Sequence, residues 1–129
     1  MNNSKLTLVA LKQTLAICRL EPNATVPDWA MRGGLYSVTC TEQELSIVCS
    51  EENVPNGVKC DRGWRCISIE GTLDFSLTGI MAALSTTLAD ASVSIFAIST
   101  FDTDHILVKA DNFERAVDAL RKAGNQVKM

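Results

Sequence analysis

The sequence predicts an α+β fold, and three observations carry that expectation. Residues 64–129 hold two helical stripes, strand-type runs alternate with those stripes, and the first half consists of strand-type runs around one short helical segment. Arg65-Cys66-Ile67-Ser68-Ile69-Glu70 partly alternates and favours a strand closed by Gly71. From Leu77 onward, Ile80, Met81, Leu84 and Leu88 recur at intervals of three and four, the spacing of a helix with one buried face. Residues 94–99 are apolar enough for a central strand, and Ile106-Leu107-Val108 follows an Asp-rich turn, so the two predict a hairpin. Asp111 with Glu114 reads as a capping box. Phe113, Ala116, Val117 and Leu120 then mark a second helix that stops before Gly124, and Gln126-Val127-Lys128 adds a last strand.

The resulting order, βαββαβ, is the ferredoxin-like plan of two helices on one face of a four-stranded antiparallel sheet. The first half reads as a reduced version of it. Strands are expected near Leu6 to Leu11 and Thr14 to Leu20, followed by a turn at Glu21-Pro22-Asn23 and a short helical segment from Pro27 to Met31. A hairpin is expected from Leu35 to Cys40 and from Leu45 to Ser50. The polar stretch Glu51 to Gly63 then joins the halves, which gives units at 1–63 and 64–129.

Composition narrows the function. The chain of 129 residues is 47% hydrophobic and 21% charged, as in a globular protein, with a formal net charge of −3. Scattered Lys and Arg and few aromatics argue against nucleic-acid binding and against acidic membranes. No apolar run approaches the ~20 residues of a membrane span, and the opening Met1 to Leu6 alternates too soon for a signal peptide, so a cytoplasmic protein is expected. Five cysteines without CxxC spacing suit reduced thiols rather than a disulfide framework or a zinc site. Neither a Gly-rich phosphate loop nor a nucleophile with a base is recognisable. A catalytic role, a metal and a cofactor are therefore not expected.

Two loops attract attention instead. Asp74-Phe75-Ser76-Leu77-Thr78-Gly79 ends where a helix begins, so free N–H groups and the helix dipole could hold an anion there. Thr100 to Asp104 joins two strands. Asp74 and Ser76 could equally be helix caps, Asp102 and Asp104 turn formers, and His105 a strand-end residue. An internal repeat is suggested by laying residues 36–48 on residues 96–108 without a gap, which preserves the apolar pattern and an acidic turn.

Two stretches give the chain a family likeness: LDFSLTGIMAALSTTLADASVSIFAISTFDTDHILV, residues 73–108, and LYSVTCTEQELSIVCSEE, residues 35–52. They resemble ACT-like domains, specifically those of aspartokinases and of the cytosolic arginine sensor. The resemblance implies two ACT-like units in tandem and a non-catalytic module that binds a free amino acid or similar small metabolite. It points to Asp74, Phe75, Ser76, Thr78 and Gly79 in the first loop, to Thr100, Phe101 and Asp104 in the second, and to Ser37 and Val38 in the first unit. Loop amides at Thr78 and Gly79 would take a carboxylate, and Asp74 or Asp104 an ammonium group. A freestanding module further implies a homodimer or a regulated partner protein. The alternative is a structural interaction or dimerisation module with no metabolite ligand.

Overall fold

The computed structural model describes residues 6–71 and 79–129. Its strands are β1 (Thr7–Leu20), β2 (Ser37–Cys40), β3 (Leu45–Ser50), β4 (Cys60–Ile69), β5 (Phe96–Ser99), β6 (Asp104–Lys109) and β7 (Gln126–Lys128), and its helices are α1 (Ile80–Asp90) and α2 (Phe113–Lys122). The described residues up to Lys12 and from Arg65 onward form one compact unit, and Gln13–Trp64 form another. The break after Trp64 lies one residue beyond the sequence boundary, whereas the opening residues join the later part of the chain.

In the unit that contains Arg65 onward, β4-α1-β5-β6-α2-β7 follow in the βαββαβ order of the ferredoxin-like plan. The sheet differs from the four-stranded expectation. Its order is β7, β1, β4, β6, β5, so the start of β1 occupies a place between β7 and β4. Thr7, Leu8 and Val9 pair in parallel with Gln126, Val127 and Lys128, while the Glu70 N–H donates to the Thr7 carbonyl at 2.9 Å. The insertion is stabilised by burial, because Leu8 and Ala10 extend a core formed by Ile67, Ile69, Ile106, Val108 and Val127. These alternate positions share one face of the sheet. Leu84 and Leu88 of α1 and Phe113, Ala116, Val117 and Leu120 of α2 cover that face.

The helix ends show which local signals operate. α2 does not use Asp111 as its cap: Ala110–Asn112 form a 3-10 turn and Asn112 is the cap residue, without a side-chain cap bond. Its last turn closes through the Ala123 and Gly124 N–H groups, with Gly124 at a φ of 102°. Arg65 lies over the Phe113 ring, 4.1 Å from its centroid, and donates from Nη2 to the Leu11 carbonyl at 2.9 Å.

In Gln13–Trp64 the strand order is β2, β3, β1, β4. Ala16, Cys18, Leu45, Ile47, Cys49 and Val54 form its core, with Ala30 supplied by the 3-10 turn Asp28–Met31 and Trp29 packed partly against it. No α-helix forms among its described residues. Two strand expectations change. The runs before and after Lys12 are one continuous 14-residue strand, because a polar pair without a turn residue does not break a strand paired at both ends. The joining stretch is also shorter than expected, since a 3-10 turn takes Glu51–Asn53 and β4 begins at Cys60.

All five cysteines are free thiols, with Cys18, Cys49 and Cys66 buried, Cys60 half-buried and Cys40 exposed. Burial, aided by the neighbouring Cys49 and Cys60, pushes the Cys18 thiol up to about 12. At neutral pH it is a protonated core residue rather than a nucleophile. Among the described residues there is no group of His, Cys, Asp or Glu side chains able to hold a metal ion, and no helix is long and apolar enough to cross a membrane.

Candidate functional site

Residues from β4, α1 and the β5–β6 hairpin provide the described part of the candidate site. Thr100 and Thr103 close the hairpin turn: the Thr100 N–H donates to the Thr103 carbonyl at 2.8 Å, and Thr100 Oγ1 donates to the same carbonyl at 3.0 Å. Thr100 Oγ1 also accepts from the Thr103 N–H at 3.3 Å. The leading Thr100 thus satisfies the turn from within, through backbone groups of the residue three positions on. The turn is then fixed to the sheet, since Thr103 Oγ1 donates to the Ile69 carbonyl at the end of β4 at 2.9 Å. The chain leaves β4 two residues later at Gly71, whose φ is 93°.

Gly79 directly precedes α1. It caps α1 in a left-handed conformation, φ 84°, and its carbonyl accepts from the Ala83 N–H at 2.9 Å. A Cβ on it would meet no atom of the described residues within 4 Å. Glycine is thus required by backbone conformation. Asp74, Phe75, Ser76 and Thr78 lie outside the described residues.

Asp104 opens β6 opposite Ser99. It is half-buried and has the same strand parity as Ile106 and Val108, so it lies toward the face that the two helices cover. His105 lies on the opposite face, where Nδ1 and Ser68 Oγ share a hydrogen bond of 2.6 Å, and the Cys66 thiol lies 3.5 Å from the same hydroxyl. Burial holds the imidazole below its ordinary range, while Asp104 pulls in the other direction. Phe101 projects at the turn and is 79% exposed.

The hairpin turn is therefore tethered to the end of β4, and Gly79 caps α1 of the same βαββαβ unit. Ser37 and Val38 belong to β2 in the other unit, paired with Val48 and Ile47. Sequence reasoning missed Thr103 and Ser68. The Thr-x-x-Thr spacing is a signal for the first, and the alternation of Cys66 and Ser68 against Ile67 and Ile69 is one for the second.

The ACT domain family model matches residues 59–122, and a model of an N-terminal domain matches residues 13–57. The rat cytosolic arginine sensor for mTORC1 subunit 1 is 40% identical over 131 residues, covering 90% of this chain and 39% of that protein. The chain thus spans well under half the length of this curated relative. A protein of Agrobacterium tumefaciens with a crystal structure is 37% identical, with a TM-score of 0.91 over 96% of this chain and 92% of that one. The regulatory subunit of aspartate kinase from Thermus thermophilus, 12% identical, has the same fold at a TM-score of 0.67, over 94% of this chain and 99% of that one. A βαββαβ unit with a glycine-capped first helix, together with these matches, makes the chain a member of the ACT domain family.

Proposed function

We propose that this regulatory, small-molecule-binding type of domain acts here as a non-catalytic receptor for a free amino acid. The reading is supported by the Thr103 tether to Ile69, which fixes the Thr100–Asp104 turn to the end of β4. In this reading the N–H groups of Thr78 and Gly79 donate to the ligand carboxylate, and Asp74 or Asp104 pairs with its ammonium group. Phe75, Ser76, Thr100, Phe101, Ser37 and Val38 are the further ligand contacts of this reading. The rat relative is an arginine sensor, which makes L-arginine the first ligand to test. The module acts in the cytoplasm as a homodimer or on a regulated partner protein, and it passes on binding as a change in association.

Exposure of Tyr36 at 45%, Val38 at 37% and Phe101 at 79% favours a second reading, a protein-interaction module without a metabolite. A thermal-shift screen against the free amino acids separates the two. Under the first reading one amino acid stabilises the protein saturably, by about 2.7 kcal/mol at a hundredfold excess over its dissociation constant, and Asp104→Ala removes the response while leaving the chain folded. Flat curves for every amino acid, with association of chains retained, favour the second.

A further inference from the structure

Gln13 opens the Gln13–Trp64 unit, and its carboxamide makes an unusual pairing. Nε2 donates to the Leu35 carbonyl at 3.1 Å, and Oε1 accepts from the Leu35 N–H at 3.1 Å. The side chain thus satisfies both backbone groups of one residue, as a residue of an adjacent antiparallel strand would. Nε2 also donates to Ser50 Oγ, whose residue is buried, so the carboxamide is held from two directions. The segment facing it fits this arrangement. A Cβ on Gly34 would stand 2.9 Å from Gln13 Oε1, and Gly33, with a φ of 82°, is placed so that a Cβ on it would stand 3.5 Å from Ser50 Oγ. Any side chain at residue 34 would therefore displace the carboxamide.

What this pairing controls follows from the topology. β2 begins two residues after Leu35, carries Ser37 and Val38, and stands at the end of the strand order with β3 as its ladder partner. A four-residue edge strand has little ladder of its own with which to fix its position. We infer that Gln13 is a positioning residue that fixes the entry of β2 and thereby sets Ser37 and Val38 for ligand binding. The clamp stands on its own geometry, and its consequence for binding rests on the amino-acid reading above.

The test uses the full chain and two readouts. Amide exchange without ligand examines the clamp: in Gln13→Ala, residues 35–38 exchange about tenfold faster, while Ser46–Ser50 of β3 keep their protection. Gly34→Ala reaches the same clamp without altering Gln13, and adds nothing further in the Gln13→Ala background. Calorimetric titration with L-arginine then examines the consequence. Both variants weaken binding about tenfold, and Gln13→Glu, which keeps the acceptor for the Leu35 N–H, recovers part of it. Unchanged exchange at residues 35–38 overturns the clamp. Faster exchange with unchanged L-arginine affinity overturns the positioning role. Failure of the wild type to bind L-arginine counts against arginine as the ligand, and the binding arm is then run with the amino acid that gives a shift in the screen. If none does, the amino-acid reading and the positioning role fall together, while exchange still decides the clamp.

Discussion

The β2–β3 and β5–β6 hairpins share a backbone plan and differ in what they place at the strand end. Both turns are led by a threonine: Thr41 N–H donates to the Glu44 carbonyl at 2.8 Å, as Thr100 N–H does to Thr103, and each threonine hydroxyl accepts an N–H from within its own turn. Ser37 pairs with Val48 and Phe96 with Leu107, so equivalent residues are 59 apart. Ile47, Val48 and Cys49 are buried, and so are Ile106, Leu107 and Val108. At the strand end the likeness stops. Leu45, 3% exposed, stands where the second hairpin has half-buried Asp104, Glu44 where it has Thr103, and Ser46 where it has His105. One hairpin has given its strand end to the core, and the other retains polar groups there. A fold can thus repeat while the chemistry of its edge does not.

The largest test of that likeness lies in the two cores. Ile47→Ala and Ile106→Ala each remove a fully buried side chain at equivalent positions, and each is expected to cost about 2–5 kcal/mol in urea unfolding. Costs that differ by more than this range would show that the hairpins share a turn but not a packing role.

The tethers are smaller. Thr41→Val and Thr100→Val each remove hydroxyl bonds internal to a turn, for about 1 kcal/mol. Thr103→Val removes a bond that leaves the turn and reaches Ile69, for which residue 44 offers no counterpart hydroxyl. It should cost at least as much and also weaken any amino-acid response that Thr41→Val leaves intact. Equal responses in all three variants would remove the tether from the site.

How much of this was legible in the sequence depends on range. Helix periodicity at Ile80, Leu84 and Leu88 and the hairpin pattern report local burial, and both appear in the structure. The place of β1 between β7 and β4 depends on pairing between residues more than a hundred positions apart, which no local pattern records. Repeat register failed for a related reason. The gap-free alignment sets residues 60 apart, and a one-residue slip exchanges the faces of a strand, but Ile-Val-Cys and Ile-Leu-Val are apolar on both faces and cannot reveal the slip. Asp111 was an adequate cap by residue type, yet the 3-10 turn carries the helix start past it. The turn between β5 and β6 was legible because turns are short-range, whereas Gly79, read as a place for close backbone approach, proves to be the cap of α1. Gln13 was not, because its partners Leu35 and Ser50 are distant in the chain.

The smallest effect is a dependence on pH, and it belongs to one hairpin only. His105 is held below its ordinary value of 6.5 by burial, so the folded chain binds fewer protons than the unfolded chain between that lowered value and 6.5. Stability is therefore complete above about 6.5, falls as the pH drops through the window, and levels off once the folded value is passed. Ser46, at the equivalent position of the first hairpin, cannot titrate. His105→Asn also cannot titrate and keeps a polar group beside Ser68 Oγ, the present partner of Nδ1. Chemical denaturation at a series of pH values from 7 to 5 should show a decline in the wild type that is reduced in His105→Asn. An identical decline in both would assign the dependence to other groups, and the difference between the hairpins would then lie in Asp104 and Thr103 alone.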